Sequence, residues 1–182
     1  GACSYLCPED AIREENREIG MVGTGQANGL DFVQGRLSIG EAMSPPLVRK
    51  VKEHIDPRGT SIIDVPPGTS CPAVESVENS GFCLLVTEPT PFGLNDLVPA
   101  VEMTRKLSIP CGVVINRAGA GDYGKVEEYC YGEGVPIMLT IPLDAEIARL
   151  YARGIPLIEG IPSWRDRLLG LLDGARERMN AD

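Results

Sequence analysis

From Ser44 onward, short unbroken apolar runs alternate with stretches whose apolar residues recur at helical spacing. The runs are Ser61-Ile62-Ile63-Asp64-Val65, Phe82 to Thr87, Cys111 to Asn116 and Pro136 to Ile141. Residues apolar at consecutive positions are expected where both faces of a strand are covered, as in a parallel sheet. The intervening stretches predict helices over about Ala73–Asn79, Leu94–Lys106, Tyr123–Tyr131 and Ala145–Arg153. A final helix over Ser163–Met179 puts Trp164, Leu168, Leu171, Leu172 and Ala175 on one side. Earlier, Pro45 and Pro46 can open a helix, whose first turn needs no amide donors, and Leu47, Val48, Val51 and Ile55 follow at helical spacing. Strand alternating with helix predicts right-handed crossovers and an α/β fold, a mostly parallel sheet with helices on both faces.

The first 43 residues read differently: they are rich in glycine and show no helix-length period. Arg17–Thr24 and Leu30–Ile39 predict two short strands, with Gly25 to Gly29 supplying turn residues that tolerate positive φ. The expected organisation is therefore three segments, 1–15, a hairpin or linker over 16–43, and an α/β portion over 44–182.

Composition narrows the function classes. Hydrophobic residues make up 43% and aromatics only 5%, so the core should be aliphatic. A formal charge of −9 argues against a non-specific nucleic-acid binder, which needs a cationic face to displace counterions. No apolar run approaches the roughly 18–20 residues that span a bilayer, and no secretory leader pattern is seen, so a cytoplasmic protein is expected. Of six cysteines, Cys83 and Cys111 sit in or beside apolar runs and read as small hydrophobes, as does Cys71 in a packing role. His54, the single histidine, falls late in a helix and builds no triad or zinc site.

In open parallel sheets ligands gather beyond the carboxyl ends of the strands, so the residue after each run matters most. The first run ends Asp64-Val65-Pro66-Pro67-Gly68-Thr69-Ser70. An Asp before a tight glycine turn either organises Mg²⁺ with the turn amide facing a terminal phosphate, or caps an ordinary turn. The second ends Thr87-Glu88-Pro89-Thr90-Pro91-Phe92-Gly93, a loop stiffened by two prolines, in which Glu88 reads equally as a solvated or a catalytic acid. The third ends Asn116-Arg117-Ala118-Gly119; a carboxamide matches an adenine edge, and Asn is also a common turn former. The fourth ends Pro142-Leu143-Asp144, where Pro142 can lie against a base and Asp144 reads first as a helix cap.

Together these endings resemble the MinD/ParA/Mrp branch of P-loop ATPases, in particular the subgroup with an inserted ferredoxin domain. Asp64 to Thr69 looks like that branch's Walker B and switch II segment, Asn116-Arg117 like its base-recognition position, and Thr87 to Leu94 like the subgroup's own loop. The resemblance implies that Asp64 organises Mg²⁺, Gly68 senses the γ-phosphate, and Asn116, Pro142 and Asp144 border the adenine. It also accounts for Cys3 to Ile12, which is similar to the tail of a bacterial ferredoxin motif, with Cys3 and Cys7 spaced as its third and fourth ligands. Those two thiols would then serve different 4Fe–4S clusters. Gly1 starts inside this motif, so the chain is expected to be part of a longer one, with 1–15 the end of the ferredoxin-like insert.

One departure is serious. No G-x-x-x-x-G-K-[ST] loop occurs, and Gly23-Thr24-Gly25 lacks both the lysine and a following helix. The chain by itself should therefore bind nucleotide weakly or not at all, and be inactive alone. For the parent the resemblance implies Mg²⁺-dependent ATP hydrolysis coupled to Fe–S clusters, a homodimer around ATP, and an electron-transfer or Fe–S partner protein. The alternatives are a cluster carrier or electron-transfer scaffold without significant hydrolysis, and a partner-binding domain that has lost the site.

Overall fold

The computed structural model describes residues 1–119 and 123–179, with the side chain of Tyr123 left aside. Two compact units divide the chain, Gly1–Ile62 and Ile63–Asp182. The expected boundary near residue 44 falls inside the first.

The first unit opens with one helical turn, α1 (Ala2–Leu6). It continues into an antiparallel hairpin of β1 (Gly20–Ala27) and β2 (Leu30–Leu37), paired from Gly20↔Leu37 to Ala27↔Leu30. The connection is two residues, Asn28 at φ 52 and Gly29 at φ 78, shorter than the five-residue turn expected. Both angles lie in the left-handed region that a type I′ turn needs, and Asn-Gly is the pair that adopts it most readily. That turn's twist matches the strands, so β1 runs on to Ala27 instead of ending at Thr24. The next helix, α2 (Pro45–Lys52), forms where its prolines predict and packs on β2, with Leu47 and Val51 over Gly35.

The second unit is an α/β layer. After α3 (Cys71–Val77), β3 (Cys83–Thr87), α4 (Pro91–Lys106), β4 (Cys111–Ala118), α5 (Tyr123–Gly132) and β5 (Ile137–Pro142) follow in turn. Then come α6 (Ala145–Ala152), α7 (Leu157–Gly160), a turn the spacing did not predict, and α8 (Trp164–Met179). The three strands form a parallel sheet in the order β3-β4-β5.

Central β4 is covered on both sides, as its unbroken apolar run predicts. Val113 and Ile115 meet Leu97 and Val101 of α4 and Val126 and Cys130 of α5. Val114 points the other way, into a cluster of Leu139 and Trp164 with Ile147, Leu157, Leu168 and Leu171 packed around it. The stripe expected on the last helix is thus the one that docks, through Trp164, Leu168 and Leu171. Arg167 adds a guanidinium 4.0 Å from the Trp164 ring centre.

Edge strand β3 is covered on one side only. Cys83 and Leu85 share a cluster with Val77 and Ile109, but Leu84 is 39% and Val86 63% exposed. The run Ser61–Val65 corrects the expectation of a first strand: it forms none. Its β-branched residues favour extended backbone, yet a strand exists only by pairing. Among the described residues no helix is long and apolar enough to cross a membrane.

Candidate functional site

Three of the sequence-derived site residues stand at the carboxyl ends of β4 and β5. Asn116 is near the end of β4 and half-buried, Pro142 closes β5, and Asp144 follows two residues on. Ala118 is the register partner of Pro142, and the Leu143 amide donates to the Ala118 carbonyl at 2.9 Å, which ties the two strand ends together. Asp144 caps α6: its carboxylate accepts from the Glu146 amide at 2.6 Å and the Ile147 amide at 3.3 Å. Capping is thus the role its contacts show.

Asn116 sits in an irregularity. Ile115 pairs with Thr140 and Ala118 with Pro142, so β4 carries one more residue than β5 across this step. That extra residue is a β-bulge, a feature that locally re-aims side chains. Arg117, within it, has φ 53, and its amide donates to the Asn116 carboxamide oxygen at 3.0 Å.

On the other flank stands the loop after β3, which is held by its own polar groups. Thr90 caps α4, accepting from the Gly93 amide at 3.0 Å. The Thr87 hydroxyl donates to the Gly93 carbonyl at 2.9 Å, and the Thr90 amide to the Glu88 carbonyl at 2.8 Å. Only glycine fits at 93, since a Cβ there would lie 2.2 Å from the Glu88 carbonyl oxygen. From this loop Glu88 reaches across to Arg117, with Oε1 and Nη1 3.2 Å apart. The pairing of Glu88 with Arg117 is what residue-by-residue reading of the sequence missed. The only signal was that both residues directly follow apolar runs that end level in the sheet.

The acidic end of the expected site stands on a segment outside the sheet. Asp64 is exposed, and Gly68 is exposed at φ 82 with open space where a Cβ would stand. Val65, beside Asp64, packs with Val77, Cys83 and Ile109. No contact among the described residues joins Asp64 to Asn116.

No family model matches the chain. Two uncharacterized proteins of Methanocaldococcus jannaschii are similar to it. One is 31% identical over 145 residues, 79% of this chain and 50% of the relative. The other is 29% identical over 145 residues, 79% of this chain and 49% of the relative. An iron-sulfur cluster carrier protein of Aquifex aeolicus is 33% identical over 116 residues, 56% of this chain and 32% of that protein. The chain is distantly similar to iron-sulfur cluster carrier proteins. It spans about half the length of the first two relatives.

That similarity makes the thiols the next question. Cys7 ends α1 and is half-buried, and its sulfur accepts from the Ala11 amide at 3.4 Å. Amides of Ala11 and Glu9, the main cause, hold its pKa below the ordinary thiol value. Such a sulfur suits a thiolate ligand. Cys3 is exposed on the same short helix, four residues earlier. Among the described residues no group of three or more metal-ligating side chains forms. The core thiols differ in kind. Burial, and then the neighbouring Cys111, push Cys83 up to about 11, a value that suits packing and disfavours a thiolate.

Proposed function

We propose that this chain contributes the base-binding rim of a composite nucleotide site in a longer ATPase that works with iron–sulfur clusters. The observation that carries the reading is the rim at the β4 and β5 ends. There a half-buried carboxamide on a bulge stands beside an exposed proline and a capped helix. A carboxamide offers a donor and an acceptor side by side, the pattern an adenine edge requires, and a proline ring offers a flat apolar surface.

The phosphate end would be completed outside the chain. Among the described residues β3 has an unpaired edge, which is where a further strand would add, and a half-bare apolar face. Ser61–Val65, β-branched and unpaired, would then join the same sheet and bring Asp64 toward the carboxyl rim. In that arrangement Asp64 would hold Mg²⁺, and the Gly68 turn would face the terminal phosphate. Bound Mg²⁺-ATP supplies the group transferred to water, while the protein's work is positioning and charge stabilisation. Cys3 and Cys7 would be two of the ligands of 4Fe–4S clusters completed by thiols of the longer protein, with a second copy around ATP and an Fe–S partner as the assembly.

Titration calorimetry with Mg²⁺-ATP tests this. The 182-residue chain should show no submicromolar affinity, and the full-length protein should bind. Asp64→Ala in the full-length protein should lower ATP turnover by at least about tenfold, that is 1.4 kcal/mol of transition-state stabilisation or more. Submicromolar binding by the chain alone, or unchanged turnover in the variant, would contradict the reading. The Cys7 environment favours one alternative: a cluster carrier in which the nucleotide fold is a scaffold. Full-length protein that retains iron and sulfide but hydrolyses no ATP would favour it.

A further inference from the structure

Arg117 is an arginine in a conformation that L side chains avoid, at the one place where β4 carries an extra residue. A non-glycine residue at φ 53 is held there by its surroundings, because the left-handed region is unfavourable for a residue with a Cβ. Two contacts do the holding. Its amide binds back to the Asn116 carboxamide oxygen at 3.0 Å, and its guanidinium meets Glu88 at 3.2 Å. The backbone at Glu88 is itself fixed, because the turn it starts is closed by the Thr87, Thr90 and Gly93 bonds described above.

The chain of contacts therefore runs from a stiff loop on β3, through Glu88, to the bulge on β4, and ends on the carboxamide of Asn116. An ion pair this exposed, 60% for Arg117 and 41% for Glu88, adds little to stability. Its effect falls instead on direction. With the Asn116 oxygen engaged by the Arg117 amide, the carboxamide cannot rotate freely, and the order of its donor and acceptor toward a base is set.

We propose that Glu88 and Arg117 are positioning residues that fix the Asn116 carboxamide and so select adenine over guanine. Adenine presents a donor where guanine presents an acceptor, so a carboxamide locked in one order accepts one base and opposes the other. The proposal rests on the nucleotide reading of this rim.

The test uses the full-length protein and two fluorescent probes, N-methylanthraniloyl-ATP and N-methylanthraniloyl-GTP. Glu88→Gln and Arg117→Ala should each narrow the ATP-to-GTP affinity ratio by about tenfold, on the scale of a hydrogen-bonding group left mispaired. The charge-reversed pair, Glu88→Arg with Arg117→Glu, should restore much of it. Hydrogen exchange read at the Arg117 amide should quicken in both single variants and recover in the pair, while melting temperature barely moves. If the wild type discriminates and the variants keep its ratio, the positioning role is wrong and the nucleotide reading stands. Equal losses for both nucleotides would also overturn it, since a merely structural defect does that. If the wild type binds neither probe, the nucleotide reading falls and the selectivity role with it.

Discussion

Set side by side, Ser61–Val65 and β4 have the same β-branched, apolar character, and they meet different fates. β4 has a strand on each side and helices over both faces, and its Val113 and Ile115 are sealed from water. Among the described residues Ser61–Val65 pairs with no strand; Ile62 is 89% exposed, while Val65 packs against a cluster. The difference is not in the residues. β propensity measures how well a side chain suits a pleated, half-buried surface, and that surface exists only if the partners are on the chain. β4 finds one neighbour a crossover before it and one a crossover after it; among the described residues Ser61–Val65 finds neither.

The same contrast separates the two ends of the proposed site. Asn116, Pro142 and Asp144 stand at the ends of two directly paired strands, whereas Asp64 lies on a segment outside the sheet.

The sharpest way to break this comparison is to truncate an isoleucine in each run. Ile115→Ala should cost about 2–5 kcal/mol in chemical denaturation, by lost burial and the cavity left behind. Ile62→Ala should stay within about 0.5 kcal/mol. Similar losses would mean that the first run is packed after all. A second effect is confined to alkaline solution. Burial raises the Cys83 pKa to about 11 from an unfolded-state value near that of an ordinary thiol. Its contribution is thus present below about pH 8.5 and fades as pH rises toward its folded value. Cys83→Val should flatten the fall in stability between those limits, followed by urea melts at successive pH values. The smallest effect sharpens the comparison most. Val86→Lys, on the bare face of β3, should change this chain by no more than about 0.5 kcal/mol, yet destabilise the full-length protein clearly more. Equal effects in both would mean that nothing in the full-length protein covers that face of β3.

Much of this was legible from pattern alone. Continuous apolar runs marked β3, β4 and β5, and the prolines at 45 and 91 sit in the first turns of α2 and α4. What was not legible depended on distant partners or on backbone. The missing strand at 61–65 needed a neighbour that no local residue reveals. The turn at Asn28-Gly29 is shorter than the run of turn residues from Gly25 to Gly29 suggests. The bulge at Asn116–Arg117 depends on comparing the lengths of β4 and β5 across a register, which no single segment contains. The Glu88–Arg117 pair became visible only once β3 and β4 lay level.

Photolabelling of the full-length protein with 8-azido-ATP, followed by peptide mapping, tests the central claim most directly. The azide sits on the base, so label is expected on the ends of β4 and β5, at residues 116–119 and 142–144, and should be lost with excess ATP. ATP-protected label confined to other segments, with those two peptides clean, would contradict the assignment of this rim.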